Sequence, residues 1–526
     1  MPDKPYLLGI DIGGTGAKAG VFTLDGQAVG SGYAEYRMIS HVPGQAELDA
    51  EDWWQCTVQA IRQATQAIDT QDILCMGVGC TNGLIAIDRK GMPIRPAIML
   101  WDQRAMPEVE RIRHVLDSDE VFQVTGNPVA PGAYSLPTIL WLRQQEPETF
   151  KRVHKLMVPG GYIVGRLTGE YTIDHSRACT TLLFDIRRKE WHTPFLEALH
   201  LSPGLLPRPL ASQEIAGPVT RYAAELTGLK PGTPVIAGCM DTIGASIGSG
   251  VVQPGRCFLI MGTATRLASP LDRPSFDPRF MNCTHVLPDS WLTLGAMNGV
   301  GSSLRWLRDN FGQMEQQAAG RTGQDVYDLL TAQASNSPPG SKGLIYLPYI
   351  SGERTPLWDP YARAVFFGIT LGHNRGDFLR AALEGAAYAI RHVIEIMEYE
   401  RNIPVNALRI GGAAARSTVW NQIIADVLGK TVFSIESSHI EVHGAAILAG
   451  IGSGVYPDFP DGLEDLIQVS RDFSPDPKAH AEYNQLFPIF KELYLNVKPF
   501  YERLAKLDVT NVWIRPGNEA SRTMPG

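Results

Sequence analysis

Twice in this chain an apolar strand runs into a glycine turn and leaves it as a second strand, and no other feature restricts the fold as strongly. The first instance spans Tyr6 to Leu24, where YLLGI, DIGGTGAK and AGVFTL read as a hairpin that Asp25-Gly26 continues. The second begins at Arg256 with CFLIM, turns at Gly262-Thr263 and leaves as TRLAS. Helix and strand alternate after each. Asp49 is an N-cap candidate for AEDWWQCTVQAIRQATQAI, which leads into ILCMGVGC and the hairpin LIAIDRKGMPI. After the second hairpin come a long helix near Gly376 to Glu400 and the strand ALRIGG. The echo is one of pattern and not of repeated residues, and it predicts a duplicated α/β unit. The boundary falls around Val251 to Gly255, giving domains over 1–254 and 255–526.

Length agrees with two large domains or three ordinary ones, since 526 residues exceed a typical domain of roughly 150 several times over. With 44% hydrophobic and 19% charged residues the chain is a folded globular protein, not a disordered, collagen-like or coiled-coil one. A net charge of -8 leaves no basic excess for nucleic-acid phosphates or anionic lipid. Seven cysteines with no C-x-x-C pair point to a reducing compartment. The opening residues lack the pattern of a secretory signal, and no run of 18 apolar residues occurs, so a cytoplasmic location without membrane contact is expected. Tyr483, Leu486, Phe490, Leu493, Val497, Tyr501 and Leu504 recur at steps of three or four and predict an amphipathic helix despite Pro499.

Four segments have the makings of chemistry. In Asp11-Ile12-Gly13-Gly14-Thr15-Gly16-Ala17-Lys18 the glycines let backbone N–H groups approach an anion, Thr15 adds a hydroxyl, and Asp11 at a strand end can hold a metal through water. A tight hairpin that needs glycine explains the same residues. Met261-Gly262-Thr263-Ala264-Thr265 is a second turn of this kind, and the two facing each other would grip one nucleotide's phosphates from opposite walls of a cleft. Asp241 follows the expected strand Thr233 to Met240 and starts a small-residue helix, a place for ligand chemistry and equally for a helix cap. Gly411 to Ala415 leaves room for a ring or ribose, or for close strand–helix packing. Cys75 and Cys80 read as buried thiols, and His439, Glu441 and His443 do not make the H-E-x-x-H zinc pattern.

Together these motifs resemble the FGGY family of carbohydrate kinases, within the sugar kinase, heat-shock protein 70 and actin superfamily. The most specific match is Ala364 to Ile369 followed, seven residues on, by Asp377 to Gly385, which fits the family's second signature. GERTP at 352–356, WDQR at 101–104, TGN at 125–127, RLTGE at 166–170 and GAA at 444–446 occur in family order. The xylulokinases are the subgroup most similar in layout. Departures are Cys80-Thr81-Asn82-Gly83 for Gln-Met-His-Gly, Thr242 for Asn, Thr138 for a lysine, and Gly412-Ala413-Ala414-Ala415 for three glycines and an alanine.

The resemblance implies an α/β fold of two actin-like (ribonuclease H-like) domains flanking a central cleft, and an ATP- and Mg2+-dependent kinase for a small sugar. A ketopentose such as xylulose is the substrate it suggests. Another ketose or a polyol (ribulose, erythritol, a glycerol-like acceptor) is the alternative, followed by a non-metabolic actin- or chaperone-like ATPase and a lapsed sugar sensor. Asp241 matches the family's general base. Thr81, Asn82, Asp102, Asp241 and Thr242 would meet the sugar. Gly13, Gly14, Thr15, Lys18, Gly262, Thr263, Gly411, Gly412, Ala413 and Asn421 would meet ATP, and Asp11 would hold Mg2+ through water. The small-molecule sugar is the expected partner, and the resemblance leaves room for a homodimer.

Overall fold

The computed structural model of the chain describes residues 5–507 apart from 40, 41, 43, 131, 132, 263, 264, 436–438, 457–462 and 468. Its first sheet opens with β1 (Tyr6–Ile12), β2 (Gly16–Thr23) and β3 (Ala28–Glu35), paired antiparallel in sequence order. Helix α1 (Ala50–Ala64), with Asp49 as N-cap accepting from the Glu51 N–H, carries the chain across the sheet. That crossover lets β4 (Ile73–Cys80) join β1 in parallel. Beyond β4 lie β5 (Ile215–Pro218), β6 (Pro234–Ile236) and β7 (Cys239–Met240), and β6 and β7 both pair with β4 in parallel. All seven residues of β1 are buried, as expected of a strand covered on both faces.

Thr233 to Met240, expected as one strand, is broken between β6 and β7. Gly238 has φ 92°, and a β-carbon there would stand 2.2 Å from the Val78 carbonyl oxygen. The break turns the chain into helix α2 (Asp241–Gly248).

The second sheet repeats the plan. Strands β8 (Gly255–Met261) and β9 (Thr265–Leu271) form the second hairpin, and β10 (Met281–Thr284) and β11 (Trp291–Met297) extend it antiparallel. Helix α3 (Arg375–Glu395), opened by an Asn374/Asp377 capping box, precedes β12 (Val405–Gly411), which joins β8 in parallel. Strand β13 (Thr431–Ile435) adds in parallel to β12. In each sheet, then, a run of antiparallel strands, three in the first and four in the second, is followed on the other side of its first strand by parallel ones. The echo seen in sequence is a repeat of topology.

Helix α4 (Ile440–Gly452) leaves the second sheet and lies on the first, against β1, β4 and α2. Glycine permits this approach: an added β-carbon would stand 1.9 Å from the Val442 oxygen at Gly9, 2.4 Å from the Ala445 oxygen at Gly77, and 1.9 Å from the Gly244 oxygen at Gly444. Helix α5 (Pro477–Ala505) closes the described chain with Pro488 and Pro499 inside it. Tyr483, Phe490, Leu493 and Tyr501 are buried along the expected stripe, whereas Leu504, in the last turn, is 43% exposed. Among the described residues no helix is long and apolar enough to cross a membrane.

Candidate functional site

The carboxyl ends of β1, β4 and β7 bring the first group of residues together. Thr81 N–H donates to the Ile12 carbonyl at 2.8 Å, so the turn after β4 lies beside Asp11. Asp11 is 4% exposed, and its Oδ1 is buried without a hydrogen-bond partner among the described residues. Burial pushes its carboxyl up to about 8, the charges of Glu441 and Asp241 push the same way, and Lys18 and Arg266 oppose them. A buried carboxylate with an unsatisfied oxygen and carboxylate neighbours suits a divalent cation. Among the described residues no cluster of three or more His, Cys, Asp or Glu side chains is placed to hold a metal alone. Mg2+ bound through water and shared with phosphates matches that donor set, because it keeps several waters and seldom uses an all-protein cage.

Asp241 is the first residue of α2, and the N-cap is Met240. The cap reading of Asp241 therefore accounts for one bond, from Thr242 N–H to Oδ1 at 2.7 Å. The Thr242 hydroxyl also donates to Oδ1, at 3.1 Å, and the remaining partners are cations: Arg177 Nη2 donates to Oδ1 at 3.3 Å and Arg266 Nη1 to Oδ2 at 2.7 Å. Burial disfavours the charged form, yet Arg266, Arg177 and the Thr242 bonds outweigh it and hold the carboxyl below its usual range. Asp241 is thus an ionised acceptor at neutral pH. Its backbone is placed by a neighbouring turn, where Ser176 Oγ bonds to Asp174 and accepts the Met240 N–H at 2.9 Å.

Three residues that no motif singled out for this site complete it. Arg177, 3% exposed, donates to the Cys80 carbonyl as well as to Asp241, and so ties the 80–83 turn to the carboxylate. Arg266 Nη2 donates to Glu441 Oε1 at 3.0 Å. Glu441 arrives on α4 from the far end of the chain. A charge inside IEVHGAAILAG and another inside SRACTTLLF are the sequence signals that mark Glu441 and Arg177, since charges in apolar runs are rarely buried without a partner.

The remaining predicted residues divide by environment. Gly13, Gly14 and Thr15 form the open end of the β1–β2 hairpin; Gly13 N–H bonds to Gly16 O at 3.1 Å, and a β-carbon on Gly14 would stand 3.3 Å from the Trp101 ring. Lys18 lies opposite Asp11 in register on β2. Asn82 donates Nδ2 to Ala133 O at 2.7 Å, while its Oδ1 is buried without a partner among the described residues. Asp102 commits both oxygens to the protein, receiving the Ala46 N–H at 2.6 Å and Arg104 Nη2 at 2.8 Å on Oδ2, and Arg104 N–H at 2.9 Å on Oδ1. It anchors the loop at Ala46.

Gly262 is exposed at the end of β8; Thr263 lies outside the described residues. At Gly411 the place of a side chain is filled by Ile440, whose Cδ1 would stand 2.2 Å from an added β-carbon, so close packing explains that glycine. Gly412, exposed, has φ 89° and opens the short turn Ala413–Arg416. Asn421 is 1% exposed and donates to Ala415 O at 2.6 Å, which holds that turn from behind. His443 stacks on Phe22 with ring centroids 4.6 Å apart.

Comparison with known proteins identifies the family and the fold. The family described as "FGGY family of carbohydrate kinases, N-terminal domain" matches residues 6–248, and its C-terminal domain matches residues 256–453. The chain is 31% identical over 502 residues to gluconokinase of Bacillus subtilis (strain 168), covering 95% of this chain and 98% of that protein. It is 30% identical over 500 residues to xylulose kinase of the same strain, covering 94% and 97%. The crystal structure of xylulose kinase from Rhodospirillum rubrum superposes with a TM-score of 0.84 at 29% identity, covering 95% of this chain and 100% of that one.

Proposed function

The chain belongs to the FGGY family of carbohydrate kinases, with that family's two-domain actin-like fold and ATP as phosphoryl donor, and from that premise we propose that it phosphorylates a ketopentose such as xylulose with Asp241 as general base. The sugar would be held mainly by residues 1–254 and the nucleotide mainly by residues 255–526. The observation that carries this reading is the setting of Asp241: two guanidiniums keep it ionised at a strand end beside Asp11, where a helix cap would need neither.

The chemistry follows from that setting. An alcohol is a poor nucleophile, and its proton must leave as the bond to phosphorus forms. The sugar hydroxyl donates to Asp241, which aligns its oxygen with the γ-phosphorus and takes the proton as ADP departs. A base weakened by neighbouring cations still serves, because phosphoryl transfer passes through a loose transition state in which positioning matters more than basicity. Asp11 would hold Mg2+ through water, and the ion would supply charge neutralisation on the phosphates. Thr81 and Asn82 follow β4 beside Arg177 and would offer fixed polar atoms to the sugar's other hydroxyls.

One observation favours a second reading, a sugar acid. Arg177 is a buried cation whose Nε has no hydrogen-bond partner among the described residues, and a substrate carboxylate would give it one. The two Bacillus relatives named above do not separate the readings. Steady-state kinetics with xylulose, ribulose, erythritol and gluconate, on wild type and Arg177→Gln, test them. A ketopentose kinase should use xylulose best and lose efficiency toward neutral sugars to a similar degree in the variant. A sugar-acid kinase should use gluconate best and lose about tenfold or more on it relative to neutral sugars, as expected for stripping a buried charge of its partner.

A further inference from the structure

One of the two cations on Asp241 comes from the phosphate hairpin. Arg266 is the second residue of β9, the strand that leaves the turn at Gly262. Its guanidinium forks between two carboxylates, with Nη1 on Asp241 Oδ2 at 2.7 Å and Nη2 on Glu441 Oε1 at 3.0 Å. The side chain is 25% exposed, so part of it stays accessible, while the Glu441 side chain is 15% exposed. Arg354, from the GERTP segment, lies near enough for the two charges to be felt: burial and the charge of Arg266 hold its guanidinium below the ordinary value, although Glu353 works against them. Positive charge therefore gathers on the second half's side of Asp241.

We propose that Arg266 is the cation that meets the transferring phosphoryl group, and that Glu441 is the residue that positions it. The inference rests on the kinase reading above. In an in-line transfer the acceptor oxygen stands roughly 2.6–3.2 Å from the base and about 3–3.5 Å from phosphorus. A guanidinium nitrogen 2.7 Å from that same carboxylate has the equatorial phosphoryl oxygens within reach of a small rotation. During transfer the bond from the γ-phosphorus to the bridging oxygen breaks and that oxygen leaves with ADP; the sugar oxygen bonds to phosphorus and its proton passes to Asp241. The planar fork lets Nη2 stay on Glu441 while Nη1 moves from Asp241 to a phosphoryl oxygen. That move also relieves Asp241 Oδ2 of a cation as it takes up the proton, and a carboxylate so relieved is the stronger acceptor.

The test compares Arg266→Ala, Arg266→Lys and Glu441→Gln with wild type in the full chain, using whichever sugar gives the fastest ADP release in wild type, with thermal melts to verify folding. Arg266→Ala should lose about a hundredfold in kcat while the KM for sugar stays within about threefold, the pattern for a contact made chiefly in the transition state. Added guanidinium ion should restore about tenfold of that loss, and Arg266→Lys, a charge without the fork, should fall by about tenfold only. Glu441→Gln should lower kcat by about tenfold with KM unchanged. In Arg266→Ala the acid limb of kcat/KM should move to higher pH, since Asp241 keeps Arg177 but loses its nearer cation, while Asp11, Glu441 and Lys18 still face the site. An Arg266→Ala kcat equal to or above that of wild type, a loss confined to sugar KM, or no response to guanidinium would overturn the inference. Should Arg266→Ala not fold, Arg266→Lys decides by the same split of kcat from KM. A wild type that releases no ADP with any sugar ends the kinase reading itself, whereas an active wild type matched by Arg266→Ala ends this inference alone.

Discussion

Asp241→Asn is expected to lower sugar phosphorylation by about 10²–10⁴-fold while nucleotide binding and the fold persist. Asparagine keeps the shape of the side chain, and its oxygen can still accept the Thr242 N–H that Asp241 Oδ1 accepts at 2.7 Å. It cannot take the hydroxyl proton. Two arginines lose a counter-charge, but each retains another acceptor, the Cys80 carbonyl for Arg177 and Glu441 for Arg266. Stability should therefore fall by only about 2 kcal/mol, the scale of a hydrogen bond to a charged group. Single-turnover kinetics beside a denaturant melt separate the two effects. A variant that keeps half of wild-type turnover would mean that Asp241 holds the start of α2 in place and does no proton transfer.

Gly444→Ala should destabilise the protein by about 3 kcal/mol, against what helix propensity alone predicts. Alanine is favoured over glycine in a helix by about 1 kcal/mol, so propensity says the change is stabilising. The added methyl would stand 1.9 Å from the Gly244 oxygen and 2.9 Å from the Gly248 N–H, and backbone on both sides leaves it no room. Helices α2 and α4 would have to part, and with them Asp241 and Glu441, so activity should fall too. Gly320→Ala supplies the contrast: it lies in the helix Gln313–Thr322 with nothing within 4 Å of the added carbon, and should gain up to about 1 kcal/mol. Urea midpoints for the two variants on opposite sides of wild type are the expected result. A Gly444→Ala midpoint at or above wild type would show that the helices are not locked by that contact.

What sequence could say about this site depended on how far apart in the chain the interacting residues lie. The hairpins at Asp11 and Met261 were legible because a glycine turn between two alternating runs is a local signal, and the duplicated topology followed from finding it twice. Asp49 was legible as a cap for the same reason. Arg266 and Glu441 are 175 residues apart, and Arg177 and Asp241 are 64 apart, so no pattern in a window of sequence joins them. The packing of α4 onto the first sheet brings Glu441 to Arg266, through glycines whose task is invisible until the helix is in place, and the Ser176 bond to the Met240 N–H brings Arg177 to Asp241. Gly411 carries the same lesson: a small residue after a strand reads equally as ligand space or as packing space, and Ile440 fills it. The break at Gly238 was hidden because TPVIAGCM has the composition of one continuous strand, and the demand for a positive φ arises from Val78 on the neighbouring strand.

The most direct measurement is ADP release by the wild-type chain with ATP and Mg2+, with and without each member of a panel of ketopentoses, ketohexoses, polyols and sugar acids. A sugar kinase whose base and phosphate hairpins close on the acceptor, excluding water, should release ADP at least about a hundredfold faster with its own sugar than without one. One sugar class should account for that rate, with a phosphorylated sugar forming in equal amount to ADP. Rapid ADP release that no sugar alters would contradict the account and identify an ATPase that uses the same fold for another purpose.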